Sequence, residues 1–241
     1  MAGHSKWANT KHRKDRSDRK KGKIFSRVTK EIISAVRQAG SDPKTNTKLR
    51  TALQKAKDAN MPNENVERNI KKASSAGQQD YVEMMYELYG HGGVGILAEI
   101  MTDNKNRIAS EMHIATKEHG GNVAKQGAVS HNFDRKGEFI LPITSMPEDA
   151  LFFLVTEAGA EDLLIEEDSY VIRTTLEAFS RVKEALENAS LRCESAKLVM
   201  VPRDLVEVSD EVADRNIELI EYLEDLEDVD VVYHNMKLYQ T

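Results

Sequence analysis

Apolar residues recur at helical spacing over the first eighty positions. Ile24, Phe25, Val28, Ile32, Ile33 and Val36 form a 3.6-residue stripe, and Gly40 follows where a left-handed C-terminal cap belongs. Leu49, Ala52, Leu53, Ala56 and Ala59 make a second, shorter and Lys-rich stripe. Pro62 suits the first turn of a third helix, where its missing N–H is not needed, and Val66, Ile70 and Ala73 mark that helix's buried face. Three short helices with short loops predict a small bundle over 23–77, and SSAGQQ at 74–79 reads as a linker.

From Tyr81 the period changes. YVEMMYELYG and VGILAEIMTD predict two strands joined by the glycine-rich GHGGVG. NRIASEMHIATKEH predicts a helix closed by Gly120-Gly121, and AVSHNF a further strand, with FDRKG as a turn after it. GEFILPI, PEDALFFLVTEA, DLLIEE, YVIRT, TLEAFSRVKEALENA and AKLVMVP then run β-α-β-β-α-β, the order of a ferredoxin-like domain. Beyond Val201 come one more helix, with Ser209 as N-cap and Asp210 and Glu211 at its positive end, and the strand VDVVYHNMKL. A helix and a strand cannot bury a core alone, so they are expected to return to the unfinished sheet. The expected fold is α+β: an N-terminal three-helix bundle followed by two ferredoxin-like α/β domains, the last inserted into the middle one. The boundaries are a flexible basic arm over 1–22, the bundle over 23–77, a discontinuous α/β domain over 80–136 plus 203–241, and the inserted domain over 137–202.

Charge divides the chain differently from its average. The 241 residues carry 34 Lys and Arg against 40 Asp and Glu, a net charge of -6. Residues 1–77 hold 20 of the basic and 7 of the acidic side chains, a surplus of 13; the rest of the chain holds 14 and 33. Such asymmetry points to a nucleic-acid or other anionic partner for the first part. The single Cys193 excludes an internal disulfide or a Cys-based zinc cage, and indicates a reducing compartment. The longest apolar run, Ala150 to Val155, is far below the roughly 20 residues of a membrane helix. With no signal-like apolar segment before Lys23, a cytoplasmic location and no membrane partner are expected.

The densest chemistry lies at the N-terminus. Lys6, Lys11, Arg13, Lys14, Arg16, Arg19, Lys20, Lys21 and Lys23 surround one aromatic, Trp7, with His4, Ser5 and His12 beside them. Flexible cations displace the counterions condensed on phosphate, and an indole offers a stacking face for a base. An acidic protein surface is the competing partner for the same cations. GHGGVG fits G-x-G-x-x-G formally, but a dinucleotide loop must open a helix, and here the strand pattern VGILAEIM follows; a tight hairpin explains the glycines. The histidines show no ligand spacing, and Asp103-Asn104 ahead of a helix reads as a cap. No catalytic residue, metal, cofactor or small-molecule substrate is expected.

The segments AGHSKWANTKHRK, GKIFS, ANMP, YELYGHGGVGILAE, TDNKNR, HGGN and FDRKG occur in order over residues 2 to about 137. Together they resemble the YebC/PmpR family, which includes the mitochondrial translational activator of cytochrome c oxidase. The resemblance implies a three-domain, non-enzymatic regulator of gene expression, described in some members as a DNA-binding transcriptional regulator and in others as a ribosome-associated factor that relieves stalling. It also implies that His4, Ser5, Lys6, Trp7, Lys11, His12, Arg13 and Lys14 contact nucleic acid, and that the Met61-Pro62 loop presents a tip to the ribosome. An unstructured Lys/Arg arm with one aromatic favours folded RNA over sequence-specific DNA readout. DNA binding as a transcriptional regulator remains the alternative, and the oligomeric state is open.

Overall fold

A computed structural model describes residues 13–74, 80–166 and 168–237, with side chains placed from residue 22 onward. Two compact units form, Met1–Ser130 with Leu205–Thr241, and His131–Asp204. The fold is α+β, with helices ahead of two four-stranded antiparallel sheets and the second sheet domain inserted into the first.

The first unit opens with α1 (Arg13–Ala39), α2 (Thr47–Asp58) and α3 (Asn63–Ala73). Helix α1 begins at Arg13, some ten residues before the apolar stripe that signals it; no proline or glycine interrupts the chain until Gly22. Val28, Ile32, Ile33 and Val36 pack against Leu49, Ala52 and Ala56 of α2 and Ala73 of α3. Gly40, at φ 84°, ends α1 and donates its N–H to the Val36 carbonyl at 2.7 Å. The next turn is pinned by Asn46, which is 2% exposed. Its Oδ1 accepts the Leu49 N–H at 3.0 Å, while its Nδ2 donates to the Ala35 and Gly40 carbonyls at 2.7 and 2.8 Å. One amide thus caps the start of α2 and the end of α1.

The same unit continues with β1 (Val82–Tyr89), β2 (Gly95–Thr102), α4 (Lys105–His119) and β3 (Asn122–Val123), and resumes after the insertion with α7 (Asp210–Asp225) and β8 (Val229–His234). Sheet order is β3-β1-β2-β8, so the returning strand completes the sheet by pairing antiparallel with β2. Ile96, Ala98 and Ile100 of β2 face Ile108 and Met112 of α4 and Leu219 and Leu223 of α7. Leu97 and Met101, on the opposite face of β2, are also buried, so the strand reads as a near-continuous apolar run. Helix α4 is capped by Asn104, whose Oδ1 accepts from Asn106 N and Arg107 N, as the sequence indicates.

AVSHNF is not a strand. Residues 126–129 turn and Ser130–Asn132 form a single 3-10 turn, while the sheet takes its fourth strand from Asn122–Val123, which begins at the last residue of HGGN. The cause is Glu87, 4% exposed on β1. Its carboxylate accepts the N–H groups of Gly127, Val129 and Ser130 at 2.6, 2.6 and 2.8 Å, and the Ser130 hydroxyl at 3.0 Å. A backbone whose donors converge on one carboxylate cannot also serve a ladder.

The second unit comprises β4 (Phe133–Pro142), α5 (Glu148–Ala158), β5 (Ala160–Ile165), β6 (Ser169–Thr174), α6 (Phe179–Asn188) and β7 (Ser195–Pro202). Sheet order β5-β6-β4-β7 with this connectivity is ferredoxin-like. FDRKG is the first half of β4 and not a turn: Phe133 to Gly137 pair with Pro202 to Leu198. Phe139, Leu141 and Ile172 of the sheet pack on Leu151 and Val155 of α5 and Val182 and Leu186 of α6.

Candidate nucleic-acid interface

His4, Ser5, Lys6, Trp7, Lys11 and His12 lie outside the described residues. Arg13, Lys14, Arg16, Arg19, Lys20 and Lys21 fall on the first turns of α1. Helix geometry sets the spacing of these positions: ten residues rise about 15 Å as a helix, against about 33–36 Å extended.

Lys23 has a different role from the rest of the basic run. Its Nζ donates to the Val229 carbonyl of β8 at 3.2 Å, and burial pushes the ammonium below its usual value against the pull of Glu224, Asp225 and Asp230. Arg27, one turn further on, lies 3.2 Å from Glu31, 3.4 Å from Glu99 and 3.7 Å from Asp230. Burial works against its charge, and Asp230, Glu99 and Glu31 more than offset that. Lys30 is 5% exposed; its three protons go to the Met101 carbonyl at 2.9 Å, the Glu227 carbonyl at 3.1 Å and Asp228 Oδ1 at 3.1 Å. Spacing of 23, 27 and 30 puts these three cations on one helical face. That face fixes α1 to β2, to β8 and to the turn before β8.

Asp228 is the centre of this anchor. Only 2% exposed, it accepts Lys30 on one oxygen and, on the other, Thr102 Oγ1 at 2.8 Å and Arg107 Nε at 3.1 Å. Burial alone would raise its carboxyl, but the bonds from Arg107, Thr102 and Lys30 hold it below the usual range. Nearby Asp230 lacks comparable donors, and burial pushes it up to about 6 despite Arg27 and Lys30. The sequence gives no sign of this network, because its members are separated by up to about two hundred positions and each reads locally as a solvated charge.

The bundle supplies further cations. Lys44, Lys48, Arg50, Lys55, Lys57, Arg68, Lys71 and Lys72 are all exposed on α2, α3 and the turn before them. Lys55 is held by Glu31 at 2.8 Å, and Lys48 donates to Gln38 at 2.7 Å. In the Met61-Pro62 loop, Met61 is 6% exposed and packs with the bundle core, whereas Pro62 is exposed as the residue preceding α3. An apolar Met beside three helices fills their shared core.

GHGGVG forms the β1–β2 hairpin, with His91–Gly93 as one 3-10 turn and Gly92 at φ 66°. Asn216 of α7, fully buried, accepts the His91 N–H at 2.7 Å and donates to the His91 carbonyl at 3.0 Å. The His91 ring bonds the His119 carbonyl at 2.8 Å, where a Cβ on Gly120 would meet the ring at 2.5 Å. These glycines interlock two loops and leave the hairpin occupied by its own side chains. Cys193 is half-buried, and burial raises its thiol. Among the described residues no cluster of three His, Cys, Asp or Glu side chains could hold a metal ion, and no helix is long and apolar enough to cross a membrane.

Comparison with known proteins agrees over nearly the whole length. Residues 5–76 match the family model described as the TACO1/YebC protein N-terminal domain, and residues 81–236 match that of the TACO1/YebC second and third domain. A protein of Protochlamydia amoebophila named a probable transcriptional regulatory protein is 60% identical over 238 residues, covering 99% of this chain and 97% of that one. A Chlamydia muridarum protein of the same name is 54% identical over 98% of this chain and 100% of its own. The crystal structure of a conserved hypothetical protein from Aquifex aeolicus superposes with a TM-score of 0.82 at 40% identity, covering 98% of both chains.

Proposed function

Starting from the premise that the chain belongs to the TACO1/YebC family, we propose that it regulates gene expression without catalysis, binding RNA on the ribosome through its N-terminal basic segment and relieving stalled translation. One observation carries this reading: the cationic segment from Arg13 is continuous with a helix whose next three turns are anchored by Lys23, Arg27 and Lys30. A basic segment held at one end presents its charge with less ordering cost than a free tail. Trp7 adds a stacking face suited to unpaired bases, which folded RNA offers and duplex DNA does not. The acidic remainder of the chain is repelled by phosphate, which confines contact to this end.

Helicity from Arg13 favours a second reading. A cationic helix fits the major groove of DNA, and the relatives' name, transcriptional regulatory protein, accords with that role. Sedimentation of lysate through a gradient at low and moderate salt separates the two. The RNA reading predicts migration with ribosomal particles at low salt and release as salt rises. Free migration at both salts, with competitor-resistant binding to one promoter duplex, would overturn it in favour of DNA.

A further inference from the structure

Helix α5 carries more apolar surface than its fold requires. Leu151 and Val155 are buried against the second sheet, with Leu154 and Ala158 packed alongside. Phe153 sits about 200° around the helix from Leu151 and is 70% exposed, and Phe152 beside it is 51% exposed. Their rings meet edge to face at 6.3 Å between centroids, so the two form a single aromatic surface on the helix. A solvent-facing helical position is filled at no cost to folding by Glu, Lys or Ala. Two adjacent exposed phenylalanines indicate a surface kept for contact.

The rim identifies the partner's chemistry. Asp149 and Glu157 lie one turn either side of Phe153, at i−4 and i+4, and Glu148 begins the same helix; all three are exposed. Residues 131–204 contain 8 Lys and Arg against 15 Asp and Glu, a net charge of -7. Nucleic acid and anionic lipid are repelled from such a surface, whereas a cationic protein segment is attracted to it. We propose that the Phe152-Phe153 face of α5 docks a protein segment in which Lys or Arg alternate with large apolar residues, the apolar residues covering the two rings and the cations meeting Asp149 and Glu157. This contact uses residues of the second unit and none of the N-terminal basic segment.

The test uses the full chain and fluorescence anisotropy with two peptides, one alternating Arg and Leu and one of equal charge alternating Arg and Gly. The Arg-Leu peptide is expected to bind and the Arg-Gly peptide to bind far less. The double variant Phe152→Ala with Phe153→Ala should weaken the Arg-Leu peptide at least about 30-fold, the effect of losing a contact hot spot, and leave affinity for an RNA hairpin unchanged. Thermal unfolding checks that the variant folds, and Asp149→Lys with Glu157→Lys supplies a second arm in which the Arg-Leu peptide is lost while the rings remain. Equal binding of the two peptides, or binding unaffected by both variants, overturns the proposal. So does loss of RNA binding in the phenylalanine variant, or a concentration-dependent dimer that this variant abolishes, which would make a second copy the occupant.

Discussion

Cations of the N-terminal bundle divide into two regions by what surrounds them. Lys23, Arg27 and Lys30 share one face of α1, and each ends on a carbonyl or carboxylate of the first sheet or the turn before β8. Lys44, Lys57, Arg68 and Lys72 lie exposed on the other helices. The surplus of 13 positive charges over residues 1–77 therefore overstates what a phosphate backbone could meet. Cations of the first kind hold the bundle to the sheet, and desolvation makes each one costly to leave without its partner; those of the second kind cost nothing to solvate and are available.

That contrast can be broken by substitution, and the largest effect belongs to Asp228. Asp228→Ala leaves Lys30 and Arg107 without their carboxylate, and a loss of about 3–5 kcal/mol is expected in denaturant unfolding, as for a buried pair broken on one side. Lys30→Met should cost less, about 1.5–3 kcal/mol, because Asp228 keeps Arg107 and Thr102. If both variants unfold at the wild-type denaturant concentration, the anchor is not structural.

Acidity sharpens the comparison next. Glu87 is raised by burial but held below the ordinary range by its bonds from Gly127, Ser130 and Val129, and Asp228 is held low in a similar way. Carboxyls lowered by folding stabilise above their unfolded values, and that contribution disappears as pH falls through their folded ones. Asp230 has the opposite sign: at about 6 instead of 3.8 it binds a proton more readily folded, so its contribution grows as pH falls through 6. Burial also lowers the His234 imidazole, whose contribution falls as pH drops, so the sign of Asp230 is read by difference: from pH 7 to 5 calorimetry should show the wild type gaining stability relative to Asp230→Asn, while both lose stability below about 4.

The smallest effect is expected on the exposed helices. Lys57→Ala or Lys72→Ala should change unfolding free energy by no more than about 0.5 kcal/mol, and Lys55→Ala, which breaks an exposed pair with Glu31, by about 0–1 kcal/mol. Their effect should appear in RNA affinity instead, where each lost phosphate contact lowers the salt slope by roughly 1.

Apolar period made most of the fold legible. The stripe from Ile24 to Val36, the run GILAEIM and the β-α-β-β-α-β order all reappear as α1, β2 and the second unit, because burial alone decides those elements. Where a polar group decides, the pattern misleads. AVSHNF alternates like a strand, yet Glu87, some forty positions earlier, draws its backbone donors into a turn. FDRKG reads as a turn and is the start of β4 because its partner, residues 198–202, lies more than sixty positions away. Among the candidate site residues, the basic run was visible as composition. The separation of Lys23 from its neighbours was not, since only the folded sheet brings the Val229 carbonyl to it. Met61 was legible as an apolar residue and belongs to the core for that reason.

The division of labour along α1 is tested most directly by one paired measurement: RNA affinity and thermal stability in two variants of the full chain. In the first, Lys6, Lys11, Arg13, Lys14, Arg16 and Arg19 become Gln; in the second, Lys30 becomes Met. The first should lose most RNA affinity and several units of its salt slope at wild-type stability, and the second should lose stability while its folded fraction binds RNA as before. RNA binding that survives in the first variant and disappears in the second at temperatures where both are folded would contradict the account.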